Sequence, residues 1–256
     1  MVKSNYKIKF LKGTQEFVLR EILEKHPDVK ILKKSSKEVV VEKDCKIESF
    51  RNLYSPIQIE DSNGKILNLS KREWRKSFVS AGINPSLAYI LCMIAEINSN
   101  DILLDPFCGS SVIPITAVKY FNAKRVICSD ISGRAVEVSK ENFQIAEIEE
   151  DRYMLFRSDI KDIYLNKRNV DKIVSNLPFG IRVGSHDENV SAYINLELLA
   201  KRLLRKKGVL VLLTQEKKLL REVFKKEDWN VKGVLRVDQG GLLPEVFVVK
   251  RRNISN

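Results

Sequence analysis

Ile102-Leu-Leu-Asp-Pro-Phe-Cys-Gly-Ser-Ser111 is a short apolar run, then a carboxylate, then a loop that ends in small residues. An apolar stretch at helical spacing follows it. From Asp101 onward that alternation repeats. Strands are predicted at Ile102–Asp105, Arg125–Asp130, Tyr153–Asp159, Lys172–Asn176 and Gly208–Thr214. Helices are predicted between them, near Ser111–Phe121, Ser132–Ala146 and Ser191–Lys206. Short apolar strands separated by helices suit a parallel sheet covered on both faces. The end of the chain changes character. Val231–Asp238 and Glu245–Lys250 read as two strands around Gly240, Gly241 and Pro244, so the last strand is expected to run antiparallel.

Upstream of this α/β domain the pattern is different. Tyr6-Lys-Ile-Lys-Phe10 alternates with period two. Thr14–Lys25 carries Phe17, Val18, Ile22 and Leu23 at helical spacing, and Lys37–Glu42 is a β-rich run. Some sixty residues bury too little surface to stand alone, so residues 1–60 are expected to form a small α/β appendage docked on the larger domain. Asp61-Ser-Asn-Gly64 marks a turn. Residues 61–83 read as a basic connecting segment, and residues 84–256 as the main domain, opened by a helix with Pro85 in its first turn.

The chain has 256 residues and a net charge of +12. Residues 1–80 hold 18 Lys and Arg against 11 Asp and Glu, so the excess is densest at the N-terminal end. A polyanionic partner is one explanation and a lysine-rich surface is the other. Lys71, Arg72, Arg75 and Lys76 surround Trp74; Arg72, Arg75 and Lys76 are candidate phosphate ligands, while Trp74 leans towards a core residue. Arg182 is a further RNA-binding candidate. Only two histidines occur, His26 and His186, so neither a zinc site nor a histidine-based triad is expected. The four cysteines show no C-x-x-C spacing and read as buried thiols, Cys108 among them. There is no apolar run long enough for a membrane span and no signal-peptide segment, so a cytoplasmic protein is expected.

Two groups of residues carry chemistry. Asp105, Asp130 and Asp159 stand at the ends of successive predicted strands, where an open α/β sheet binds its ligands. Gly109 permits close approach of the backbone. With no Gly-x-Gly-x-x-Gly and no phosphate-loop lysine, the set disfavours NAD and ATP. It fits S-adenosylmethionine, which offers two amino groups, a ribose diol and a cationic sulfonium. A single aspartate could instead be a helix cap, and Asp130 before Ile131-Ser132 is the plainest case. The second group is Asn176-Leu-Pro-Phe179. An exocyclic amino group attacks poorly while its lone pair is delocalised into the ring. An Asn oxygen and a backbone carbonyl on one side can take both hydrogens and hold the nitrogen towards tetrahedral geometry. The aromatic ring gives the base a stacking wall.

Asn84-Pro-Ser-Leu-Ala88, Asp105–Ser110, Ser158-Asp-Ile160, Ser175–Arg182 and Gly240–Pro244 together resemble the class I S-adenosylmethionine-dependent methyltransferases. More narrowly they resemble the THUMP-associated tRNA guanine-N2 methyltransferases, and Asn-Leu-Pro-Phe-Gly is most similar to the branch acting on the acceptor stem. The resemblance implies a Rossmann-like, seven-stranded, mostly parallel sheet with a C-terminal antiparallel hairpin, and a ferredoxin-like N-terminal piece. It implies that Pro85, Ser86, Asp105, Phe107, Gly109, Ser110, Asp130, Ile131, Asp159, Ile160 and Asn176 hold the cofactor. It makes Asn176, Leu177, Pro178 and Phe179 the catalytic loop, with Leu177 where many relatives have proline. Ser111 stands where Gly or a smaller residue is usual. The chain lacks room for a THUMP module between appendage and domain, which leaves the RNA, or a protein partner that delivers it, open. The same loop geometry serves adenine N6 or a glutamine amide. A different class of reading is an inactive methyltransferase fold that only binds RNA.

Overall fold

The computed structural model describes residues 4–77, 79, 82–179, 186–238 and 241–252. Two sheets organise them. The smaller is built from β1 (Ser4–Lys9), α1 (Gln15–Lys25), β2 (Lys30–Lys34), β3 (Glu38–Lys43), a 3-10 turn at Ile47–Asn52, β4 (Gln58–Asp61) and β5 (Ile66–Asn68). Its strand order, β2-β3-β1-β4-β5, is wholly antiparallel. The first four strands follow the ferredoxin-like order, with the second helix reduced to the 3-10 turn. The period-two pattern of β1 explains its place. Tyr6, Ile8 and Phe10 point inward onto Val18, Ile22 and Phe50. The predicted turn at Asp61–Gly64 is the tip of a hairpin, and β5 pairs back onto β4. The small sheet therefore runs to Asn68, past residue 60, and takes in the start of the supposed connecting segment. β2 was hidden in the sequence because four of its five positions are exposed and three are lysine.

The larger sheet follows α2 (Pro85–Ile94). It contains β6 (Ile102–Asp105), α3 (Val112–Phe121), β7 (Arg125–Asp130), α4 (Gly133–Ile145), β8 (Tyr153–Arg157), β9 (Val170–Asn176), α5 (His186–Leu203), β10 (Leu204–Thr214), α6 (Lys217–Val223), β11 (Trp229–Arg236) and β12 (Glu245–Arg251). The strand order is β11-β12-β10-β9-β6-β7-β8. β6 to β10 are parallel, and β12 runs antiparallel between β10 and β11. This is the seven-stranded sheet with a terminal hairpin that the alternation predicts. One apolar cluster lies beneath α2, α3 and α4, and another beneath α5 and α6. No helix among the described residues is long and apolar enough to cross a membrane.

Three boundaries differ from the sequence reading. β8 ends at Arg157, and Asp159 caps a 3-10 turn at Ile160–Asp162. α5 runs from His186 to Leu203, so Arg205, Lys206 and Lys207 lie on β10 rather than at a helix end. Leu204 pairs with Val170, and the register shifts before Val209 pairs with Lys172, a bulge that admits the charged run. α6 is only seven residues long and gave no periodic signal.

A seam joins the two sheets. Lys25 donates to Glu21 at 2.7 Å and to the Tyr89 hydroxyl at 3.2 Å, and lies over the Tyr54 ring. Tyr54 stacks on Tyr120 with ring centroids 4.0 Å apart. Glu21 is buried and also accepts from the Tyr54 and Ser55 amides at 2.9 and 2.8 Å.

Candidate active site

β6 has β7 on one side and β9 on the other, so the strand order reverses beside it, and a crevice opens at the carboxyl ends there. Leu104 pairs with Ile173, which brings the next residues of the two strands together. The Ser175 hydroxyl donates to Asp105 Oδ1 at 2.7 Å, and the Phe107 amide donates to the same oxygen at 3.2 Å. Asp105 is 1% exposed. Burial pushes its carboxyl up to about 7, and the nearby Asp130 charge adds to the rise, against the pull of Ser175 and Phe107. A buried carboxylate so poised gains most from a cationic neighbour.

The loop after β6 is tied down at every turn. Gly109 has φ of +53° and its amide donates to Asp130 Oδ2 at 2.9 Å. The Ser132 amide donates to Asp130 Oδ1 at 2.9 Å. The cap weighed for Asp130 falls instead to Ser132, whose hydroxyl accepts from the Ala135 amide at 3.3 Å, while Asp130 holds the two loops together. Ser111 has φ of +56°, a left-handed conformation that glycine would adopt without strain. Its hydroxyl donates to Ser139 Oγ at 2.9 Å, Ser139 donates to the Gly109 carbonyl at 2.7 Å, and Asn142 donates to the Ser110 carbonyl at 3.1 Å. The Ser110 hydroxyl is buried and has no hydrogen-bond partner among the described residues. Ile131 is 64% exposed beside the crevice, an apolar surface fit for a flat ring. Phe107 packs on the core beneath α5, and Ile160 is buried in that core. One oxygen of Asp159 accepts from the Lys161 amide at 3.1 Å.

Asn176 ends β9, in register with Leu213. The Leu177 amide donates to the Leu213 carbonyl at 3.0 Å. The Pro178 carbonyl accepts from Tyr193 at 3.2 Å. Phe179 is half-buried against the cluster beneath α2 and α3. Asp105, Gly109, Asp130, Asn176 and Phe179 therefore gather at one end of the sheet.

The remaining predicted residues have the following surroundings. Pro85 is buried at the start of α2, and the Ser86 hydroxyl donates to the Pro56 carbonyl at 2.7 Å, so it fastens the small sheet. Arg72 is 8% exposed, and its guanidinium donates to the Leu69 and Tyr54 carbonyls between the Tyr54 and Tyr120 rings. It is a clamp inside the seam, not a phosphate ligand. Trp74 is buried and donates to the Tyr120 hydroxyl at 3.1 Å, the core role weighed for it. Arg75 is half-buried, with burial lowering its basicity, and Lys76 is exposed. Arg182 lies outside the described residues. Ser175, Ser139, Tyr193 and Thr214 were not singled out by sequence. Ser175 and Thr214 each close a mainly apolar run, while Ser139 and Tyr193 lie on amphipathic helices and gave no signal.

A family model described as UPF0020, RMKL-like methyltransferase domain, matches residues 72–245. A tRNA (guanine(6)-N2)-methyltransferase of Methanocaldococcus jannaschii is 25% identical over 224 residues, 73% of this chain and 58% of its own length. A tRNA (guanine(10)-N2)-dimethyltransferase of Methanothermobacter thermautotrophicus is 33% identical over 121 residues, 47% of this chain and 34% of its own length. The chain thus spans between a third and three fifths of these relatives. The crystal structure of TrmN from Thermus thermophilus superposes with a TM-score of 0.85 at 16% identity, covering 97% of this chain and 100% of that chain. At that identity the likeness is one of fold.

Proposed function

The chain belongs to the RMKL-like methyltransferase family, and on that premise we propose that it transfers a methyl group from S-adenosylmethionine to the exocyclic N2 of a guanine in RNA, with tRNA the first candidate. The observation that carries the reading is the Ser175–Asp105 hydrogen bond. It sets the cofactor carboxylate and the amino-gripping Asn176 on adjacent strand ends, where two substrates can meet.

The residues fit the cofactor. Asp105 favours a cationic amine, Asp130 retains lone pairs for a ribose diol, and the buried Ser110 hydroxyl, without a partner among the described residues, can take a polar neighbour. When bound, S-adenosylmethionine supplies an electrophilic methyl group on a sulfonium. The protein's own work is on the acceptor. The base is flipped into the crevice, at a cost of about a few kcal/mol. Phe179 walls its face. Asn176 Oδ1 and the Leu177 carbonyl accept the two amino hydrogens and hold the lone pair towards the methyl group. No strong base is needed, because the methylated nitrogen turns acidic and sheds a proton through the same contacts. Ser111 sits in its loop with its hydroxyl bonded, which favours an active site over a decayed one. Lys76 and the small sheet are the proposed RNA-facing parts, in a cytoplasmic protein.

The test is incubation with labelled S-adenosylmethionine and total tRNA, then digestion and chromatography of the nucleosides. Labelled N2-methylguanosine is expected. Asn176→Ala should lower kcat by about 10²–10³-fold, well beyond any loss of cofactor affinity. Label in N6-methyladenosine, or full activity in Asn176→Ala, would overturn the reading.

A further inference from the structure

Tyr193 is fully buried on α5, yet its hydroxyl is not idle. The Glu216 amide donates to Thr214 Oγ1 at 2.8 Å. Thr214 and the Tyr193 hydroxyl lie 2.5 Å apart. Tyr193 in turn donates to the Pro178 carbonyl. Because that carbonyl only accepts, the Tyr193 hydrogen is committed to it. Thr214 must then donate to Tyr193, and every hydrogen in the chain points towards the loop after β9.

The loop is fixed at two points, one on either side of a single carbonyl. Upstream, the Leu177 amide is tied to the Leu213 carbonyl on β10. Downstream, the Pro178 carbonyl is tied to Tyr193. Between them the Pro178 ring locks one dihedral near −65°, and its bulk confines Leu177 to extended backbone. The Leu177–Pro178 unit is thus stiff, and the two ties set which way the Leu177 carbonyl faces. Proline at 177 could not form the upstream tie, since it has no amide hydrogen. This chain anchors by hydrogen bonds a loop that a second proline would stiffen covalently.

We propose that Tyr193, oriented by Thr214, is a positioning residue that aims the Leu177 carbonyl at the amino group to be methylated, an inference that rests on the function proposed above. Tyr193→Phe keeps the buried ring and removes only the hydroxyl. Its kcat on total tRNA should fall about tenfold, the worth of one well-placed hydrogen bond. The KM for tRNA and the affinity for S-adenosylmethionine should stay within about twofold of wild type. Thr214→Val should reproduce the loss, and Thr214→Ser, which keeps a hydroxyl, should restore it. An unchanged kcat overturns the proposal. So does a loss of cofactor affinity in step with kcat, since that is the mark of general loosening. Crystal structures of wild type and Tyr193→Phe give a readout that needs no RNA. The Pro178 carbonyl should turn away from its wild-type direction, and an unmoved carbonyl refutes the role. Absence of any methylation by wild type would count against the proposed function, while the carbonyl's position still judges Tyr193.

Discussion

Replacing Ser175 with alanine removes one of the two hydrogen bonds that hold Asp105 ionised in a fully buried site. A hydrogen bond to a charged group is worth about 1.5 kcal/mol at the low end, which is about one pKa unit. The carboxyl then moves from about 7 to roughly 8. A cationic ligand needs the ionised form, so its apparent affinity scales with the ionised fraction. At pH 7 that fraction drops from about a half to about a tenth, and affinity for S-adenosylmethionine falls about fivefold. At pH 6 the loss grows to about ninefold, and at pH 8.5 it shrinks below about 1.5-fold. Wild-type affinity should itself rise with pH through 7. Isothermal titration calorimetry of both proteins from pH 6 to 8.5 measures all of this. A mutant-to-wild-type ratio that stays constant across the range would refute the link, because it would mean that Asp105 ionisation is not what the ligand reads.

Two further outcomes follow from the same loop. Asp105→Asn should abolish cofactor binding yet raise the melting temperature at pH 8 more than at pH 5: a carboxyl raised to about 7 lends stability below its unfolded value near 4 and loses it as pH climbs to 7, so only at the higher pH does the amide relieve a cost. Ser111→Ala keeps the left-handed backbone but drops the bond to Ser139, whereas Ser111→Gly drops the bond and relieves the backbone; by thermal melts, Gly should be more stable than Ala by about 1 kcal/mol, and equal stabilities would contradict the strain at φ of +56°.

The sheet, and the gathering of Asp105, Asp130 and Asn176 at one end of it, were legible because they depend on short-range pattern. Asp105, Asp130 and Asn176 each close an apolar run, and in a parallel sheet such ends converge whatever the details of packing. The partners of Arg72 and Ser86 were hidden for the opposite reason. Their surroundings come from residues far along the chain, Tyr54 and Tyr120 for Arg72 and Pro56 for Ser86. A cation beside Trp74 looks the same in sequence whether it meets water or an aromatic cage. β5 is three residues long, too short to show periodicity, and only pairing with β4 defines it. The serine and tyrosine props of the loops carry no spacing rule, since any donor that reaches will do.

The seam at Lys25, Tyr54, Tyr89 and Tyr120 also governs cooperativity. A sheet of some sixty-five residues is marginal on its own core, so its contacts with the larger sheet weigh in its stability. Here its helix α1 sends Lys25 into the aromatic stack, and Glu21 ties that helix to the backbone of Tyr54 and Ser55 on the way into the larger domain. Opening the seam leaves the Glu21–Lys25 pair intact, since both lie on α1, but takes Lys25 from the Tyr89 hydroxyl and unstacks Tyr54 from Tyr120. The two sheets are therefore expected to melt together, because parting them exposes the stacked Tyr54 and Tyr120 rings.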